Sequence, residues 1–85
     1  VRGDEVEDNL YRTSDLYFAS YLRVAGVTLV GTERERGRVV FLFESGGVAV
    51  MRDLKRDYFT DRAKVAALSF VQMIRTMKTL THKTE

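Results

Sequence analysis

An α+β fold is predicted for this 85-residue chain, with elements in the order α-β-β-α-α and an antiparallel hairpin packed against helices. Three observations predict it. Residues 16–25 read as a helix that is apolar nearly all round, with only Ser20 and Arg23 polar. Residues 38–44 contain Val39-Val40-Phe41-Leu42-Phe43, a β-branched and aromatic run suited to a strand. Phe70, Met73, Ile74, Met77 and Leu80 recur at the spacing of one buried helical face.

The elements follow from local signals. Thr13-Ser14-Asp15 supplies a hydroxyl cap and an acid at the start of the first helix, and Gly26 is placed to end it. Residues 27–34 alternate as a strand. Val27, Leu29 and Gly31 lie on one face, and Thr28, Val30 and Thr32 on the other. Glu35-Arg36-Gly37 reads as a short hairpin turn, and Ser45-Gly46-Gly47 breaks the second strand. Residues 48–59 have helical spacing through Val50, Met51, Leu54 and Tyr58, and Thr60-Asp61 marks a turn. A last helix is expected over residues 66–80, with a fraying tail beyond. Residues 1–11 are expected to form an acidic, flexible arm, and residues 12–83 one domain.

The second strand poses a packing problem. Val39, Phe41 and Phe43 point one way, Val40 and Leu42 the other. A lone hairpin with two apolar faces is marginal in water. Either helices cover both faces, or the hairpin pairs with a second copy into a four-stranded sheet. The second solution makes a homodimer the expected state.

Composition excludes several classes. There is no cysteine, which removes a disulfide scaffold and a cysteine-ligated zinc module. No run approaches the length of a membrane span, and residues 1–9 lack the apolar core of a signal peptide, so a cytoplasmic protein is expected. The net charge of +2 divides into −3 over residues 1–9 and +5 over the remainder. A basic body of this kind suits phosphate, and DNA or RNA is the partner class it suggests.

Two basic sets are candidates for phosphate contact. Arg34, Arg36 and Arg38 lie at spacing two near the hairpin tip and would share a face of an extended chain. Arg75 and Lys78 fall near one stripe of the last helix with Lys64 and His82, with Leu68 and Val71 between them, and Arg62 and Lys83 extend it. The run from Arg36-Gly37 to Phe43 partly fits the strand signature of RNA-recognition motifs. Arg38 and Val40 stand where that signature needs aromatics, so that fold is not expected. Asp53, Asp57 and Asp61 recur every four residues, as a cation site would require, yet Arg52, Lys55 and Arg56 among them explain the spacing by ion pairing. His82 is the single histidine, and the Lys-Ser/Thr of a phosphate loop is missing after Gly46-Gly47. No catalytic set and no cofactor are therefore expected.

Thr13-Ser14-Asp15-Leu16-Tyr17 with Ala19, the Gly-ended helix, the arginine-tipped hairpin, Tyr58-Phe59 and the late helix ending near His82-Lys83 together resemble a family of short domains of unknown function found in phages, plasmids and prokaryotic genomes. The resemblance covers about residues 11–83. It implies a small stand-alone domain of phage or mobile-element origin and supplies no catalytic residues. The expected function is sequence-independent nucleic-acid binding without catalysis, through Arg34, Arg36, Arg38, Arg75 and Lys78. The alternative is a protein-interaction module, a small subunit or host-directed inhibitor, using an apolar surface around Phe41, Phe43 or Tyr58.

Overall fold

The computed structural model describes residues 5–7, 10–46 and 48–83. Its elements in chain order are β1 (Glu5–Glu7), β2 (Leu10–Thr13), α1 (Leu16–Val24), β3 (Leu29–Glu35), β4 (Arg38–Glu44), α2 (Val48–Phe59) and α3 (Ala67–Lys83). The strands form one antiparallel sheet in the order β1-β2-β4-β3. The class is α+β, and the five expected elements occur in the expected order. Two strands precede them.

Those two strands solve the packing problem within one chain. Leu10, Tyr11, Arg12 and Thr13 pair with Glu44, Phe43, Leu42 and Phe41. β4 is thereby an interior strand, flanked by β2 and β3, and the four-stranded sheet needs no second copy. The expectation of an arm over residues 1–11 is corrected on the same ground. Residues 5–7 pair with β2, and Leu10 and Tyr11 belong to β2 itself. The remaining arm residues, 1–4 and 8–9, lie outside the described residues.

Local chemistry sets the start and end of α1. Its cap is Asp15, whose carboxylate accepts from the Phe18 N–H at 3.0 Å. Thr13 Oγ1 in turn accepts from the Asp15 N–H at 3.1 Å, which fixes the chain as it leaves β2. At the other end Gly26 takes φ 97°. The Val27 N–H donates to the Leu22 carbonyl at 2.9 Å and the Gly26 N–H to that of Arg23 at 3.1 Å, the paired bonds of a Schellman cap. α2 ends in the same way. Arg62 N–H donates to Asp57 O at 2.8 Å and Asp61 N–H to Tyr58 O at 3.3 Å, with Asp61 in the left-handed position at φ 62°. Aspartate tolerates that conformation better than most residues.

The hairpin turn is tighter than three residues. Glu35 pairs with Arg38, and Arg36 and Gly37 both take positive φ, 52° and 82°. This is the primed turn whose twist matches the strands. The register shifts between Leu29 and Gly31, a bulge that breaks the expected alternation. Beyond it, Thr32 and Arg34 face the same side as Phe41 and Val39, while Glu33 and Glu35 face the side of Val40 and Arg38.

One face of the sheet carries the core. Tyr11, Phe41 and Phe43 pack with Phe18, Ala19, Tyr21 and Leu22 of α1, Met51 of α2 and Met77 of α3. α1 buries five consecutive residues, Phe18 to Leu22, and the buried Ser20 hydroxyl donates to the Leu16 carbonyl at 2.8 Å. Tyr17, at 51%, is the exposed residue of this nearly all-apolar helix. α3 reaches Lys83, past the tail expected to fray from residue 81. Thr84 and Glu85 lie outside the described residues, as does Gly47.

The other face has no place in that core, yet Val40 and Leu42 are only 2% and 8% exposed. Arg12 explains much of this. It sits opposite Leu42, and its guanidinium bonds Glu33 and Glu35 of β3, each at 3.1 Å. β2 and β3 are two strand spacings apart, roughly 10 Å, so the Arg12 side chain must cross β4. Its stem covers apolar surface while its charge is held at the far side. The Arg12 side chain is 13% exposed, and its Nε is buried without a hydrogen-bond partner among the described residues. Arg12→Gln is expected to lower the unfolding free energy measured in urea by about 1–2 kcal/mol, less than for a fully buried pair because both glutamates face water. A loss below about 0.5 kcal/mol would show that the crossing contributes little.

Candidate nucleic-acid interface

α3 presents two unlike faces. Met77 is fully buried, with Phe70, Met73, Ile74 and Leu80 half-buried beside it. Leu68, Val71, Arg75, Lys78 and His82 recur at spacings of three and four on the opposite side, and all five are exposed. Thr76, Thr79 and Thr81 donate their hydroxyls back to carbonyls of α3, so they occupy the helix surface without breaking it.

The electrostatics of this segment are one-sided. Residues 62–83 contain Arg62, Lys64, Arg75, Lys78 and Lys83 and no aspartate or glutamate. All five cations are exposed, and none makes an ion pair among the described residues. The excess positive charge of the body therefore resides largely here. Over residues 10–61 the arginines and lysines are nearly balanced by acids. The negative end of the α3 dipole favours the Lys83 cation in its last turn. Arg75, Lys78 and His82 share the outer face of α3, with Arg75 and Lys78 one turn apart, whereas Arg62 and Lys64, expected on the same stripe, precede the helix, which starts at Ala67.

The hairpin arginines do not form the expected shared face. The turn falls between Arg34 and Arg38 and reverses the chain, so spacing two no longer means one side. Arg34 lies opposite Val39 on the helix-covered side, and its Nη1 donates to the Gly37 carbonyl at 3.4 Å. Arg38 projects to the other side with Glu35 and donates to Ser14 Oγ at 3.3 Å. Arg36 sits exposed in the turn itself.

The aspartates of α2 are engaged as ion pairs. Arg56 reaches Asp53 at 3.2 Å and Asp57 at 3.4 Å. Asp61 lies past the helix end, off the shared face. No group of three or more histidine, cysteine or acidic residues that could hold a metal occurs among the described residues. No helix there is long and apolar enough to cross a membrane.

An aromatic cluster forms a second surface feature. Phe18 meets Tyr11, Tyr21, Tyr58 and Phe59, with ring centres 5.1–6.2 Å apart. Phe41 and Phe43, expected as part of an apolar surface, are instead wholly buried because they lie on the helix-covered side of an interior strand. Tyr58 is half-buried. Phe59 at 56% and Tyr17 at 51% are the exposed rings. Sequence reasoning did not single out Tyr17, since its neighbours on α1 are apolar on nearly every side. Burial raises the hydroxyl pKa of Tyr21 above the ordinary value, and the Asp57 carboxylate adds to the effect. Burial does the same for Tyr58, with Asp15 and Tyr17 contributing. A raised native pKa means that the folded state keeps a proton the unfolded chain releases. This stabilisation is complete below the unfolded tyrosine pKa of about 10 and is lost as pH rises through the native values. Thermal unfolding is therefore expected to move to lower temperature above about pH 10, and Tyr58→Phe to flatten that dependence. An unchanged profile in the variant would contradict the assignment to Tyr58.

No curated protein and no solved structure matches the chain. A family model described as a domain of unknown function, DUF5659, matches residues 8–82. That span takes in β2 and everything through the cationic face of α3, and the chain belongs to this DUF5659 family.

Proposed function

We propose that this chain is a small, non-enzymatic nucleic-acid-binding protein that contacts the phosphate backbone without reading sequence, through the outer face of α3. The observation that carries this reading is the acid-free segment 62–83, with five exposed cations that pair with no carboxylate among the described residues. Cations arranged this way release counterions from a polyanion on contact, which supplies affinity without base recognition. Arg75 and Lys78 remain the central contacts, with Arg62, Lys64 and Lys83 beside them. Of the hairpin set, Arg36 is the residue best placed to add to it, since it is exposed in the turn. A cytoplasmic setting, a phage or mobile-element origin and a homodimer belong to the same proposal. Two copies would meet away from α3, whose like charges repel.

A second reading has its own support. Tyr17 and Phe59 expose more than half their surface beside the half-buried Tyr58. Exposed aromatics of this kind suit a protein partner. Salt separates the two readings, because an apolar interface is insensitive to it.

Binding of labelled single- and double-stranded oligonucleotides, followed by fluorescence anisotropy across a salt series, tests the first reading. The expected slope of log K against log salt is about −3 to −4, for about four phosphate contacts. The double variant Arg75→Ala, Lys78→Ala is expected to make that slope shallower by roughly two. Absence of binding at low salt would overturn the proposal.

A further inference from the structure

The groove between α1 and α3 holds a charge that the fold does not neutralise. Arg23, in the last turn of α1, is half-buried. The only hydrogen-bond contact of its side chain among the described residues is Nη1 to the Met77 sulfur at 3.9 Å, a weak acceptor at long range. No carboxylate pairs with it among the described residues. A partly desolvated guanidinium without an anion is costly, and such groups are ordinarily paired. Beside it lies an open groove of about 500 Å³, lined by Arg23, Val24, Ser69, Gln72, Met73 and Thr76. Ser69 and Gln72 bring a hydroxyl and an amide that bond nothing among the described residues, whereas the Thr76 hydroxyl is committed to the Gln72 carbonyl at 3.2 Å. The acid-free α3 adds a favourable field for an anion along one wall.

The geometry points to a discrete phosphate-binding pocket in this groove, with the Arg23 guanidinium as the charged fork and the Ser69 hydroxyl and Gln72 amide as neutral donors. A guanidinium beside two neutral donors suits the several oxygens of one phosphate group better than an apolar ligand. The pocket is distinct from the stripe of Arg75 and Lys78, which occupies another side of α3, and it does not depend on nucleic-acid binding by that stripe. The phosphate can belong to a polynucleotide strand or to a mononucleotide, since both offer the same oxyanion.

The test is a two-dimensional amide NMR titration of the full chain with inorganic phosphate, then with adenosine monophosphate and with a short single-stranded oligonucleotide. Saturable shifts are expected at the Arg23 Nε–H and at the Ser69 and Gln72 amides. Arg23→Gln should weaken phosphate binding at least tenfold, and Arg52→Ala, exposed on α2 and not part of the groove lining, should leave it unchanged. Should Arg23→Gln fail to fold, the pair Ser69→Ala, Gln72→Ala is expected to weaken binding several-fold with the arginine intact. Saturation at lower ligand concentration by the mononucleotide would identify a mononucleotide site, and the converse a strand site. Shifts spread over all exposed cations, or binding that survives the loss of Arg23, would overturn the pocket. Loss of oligonucleotide binding in the Arg75, Lys78 double variant with the phosphate titration intact would separate this site from the outer-face reading.

Discussion

The fold depends on how β4 hides two apolar faces. Phe41 and Phe43 go into the core beneath the helices. Val40 and Leu42 face the opposite way and take no part in that core. Arg12 spans that side, reaching from β2 across β4 to Glu33 and Glu35. Its charge is satisfied only if β2 pairs with β4, so one side chain ties the first described long strand to the last strand of the sheet. The strand pairing supplies the edge that β4 lacks, and the arginine supplies part of the cover.

This arrangement frees the helices for other work. Because the sheet is completed by the chain itself, all three helices can collect on one side. α1 takes the interior position and buries Phe18 through Leu22 in succession. α3 then packs largely on α1 and keeps a single wholly buried side chain, Met77. Phe70, Met73, Ile74 and Leu80 are half-buried beside it, and the opposite side of α3 is open to solvent, where the sequence places cations with no acid over residues 62–83. The hairpin acids have a different task. Glu33 and Glu35 answer Arg12, which removes them from any role in tuning the field around the hairpin arginines.

The helical elements and the hairpin were legible because their signals are local. Asp15 before an apolar run, Gly26 after it, and Arg36-Gly37 between two strand-like runs each act within a few residues. The stripe on α3 was equally legible, since helical periodicity places Arg75 and Lys78 together without tertiary knowledge. β2 was not. It is four residues long, follows an acidic stretch, and is fixed by partners such as Phe41, which pairs with Thr13 across 28 residues of chain. The burial of Leu10-Tyr11-Arg12-Thr13 alternates in the fold, but the sequence, two apolar residues then two polar ones, shows no period of two. The shared face assigned to Arg34, Arg36 and Arg38 failed for a geometric reason. A two-residue turn between them converts spacing along the chain into opposite sides of the sheet. The pocket beside Arg23 had no sequence signal, because Ser69 and Gln72 approach that arginine only after α1 and α3 pack.

The pairing of β2 with β4 is the feature from which the sheet, the burial of Val40 and Leu42, and the position of α1 all follow. Native-state amide hydrogen exchange reads it directly. β2 lies between β1 and β4, so the amides of Tyr11, Arg12 and Thr13 should be protected to nearly the same extent as those of Phe41, Leu42 and Phe43, and should open with them. Exchange of Tyr11 to Thr13 at the rate of an unstructured peptide, with β4 still protected, would contradict it.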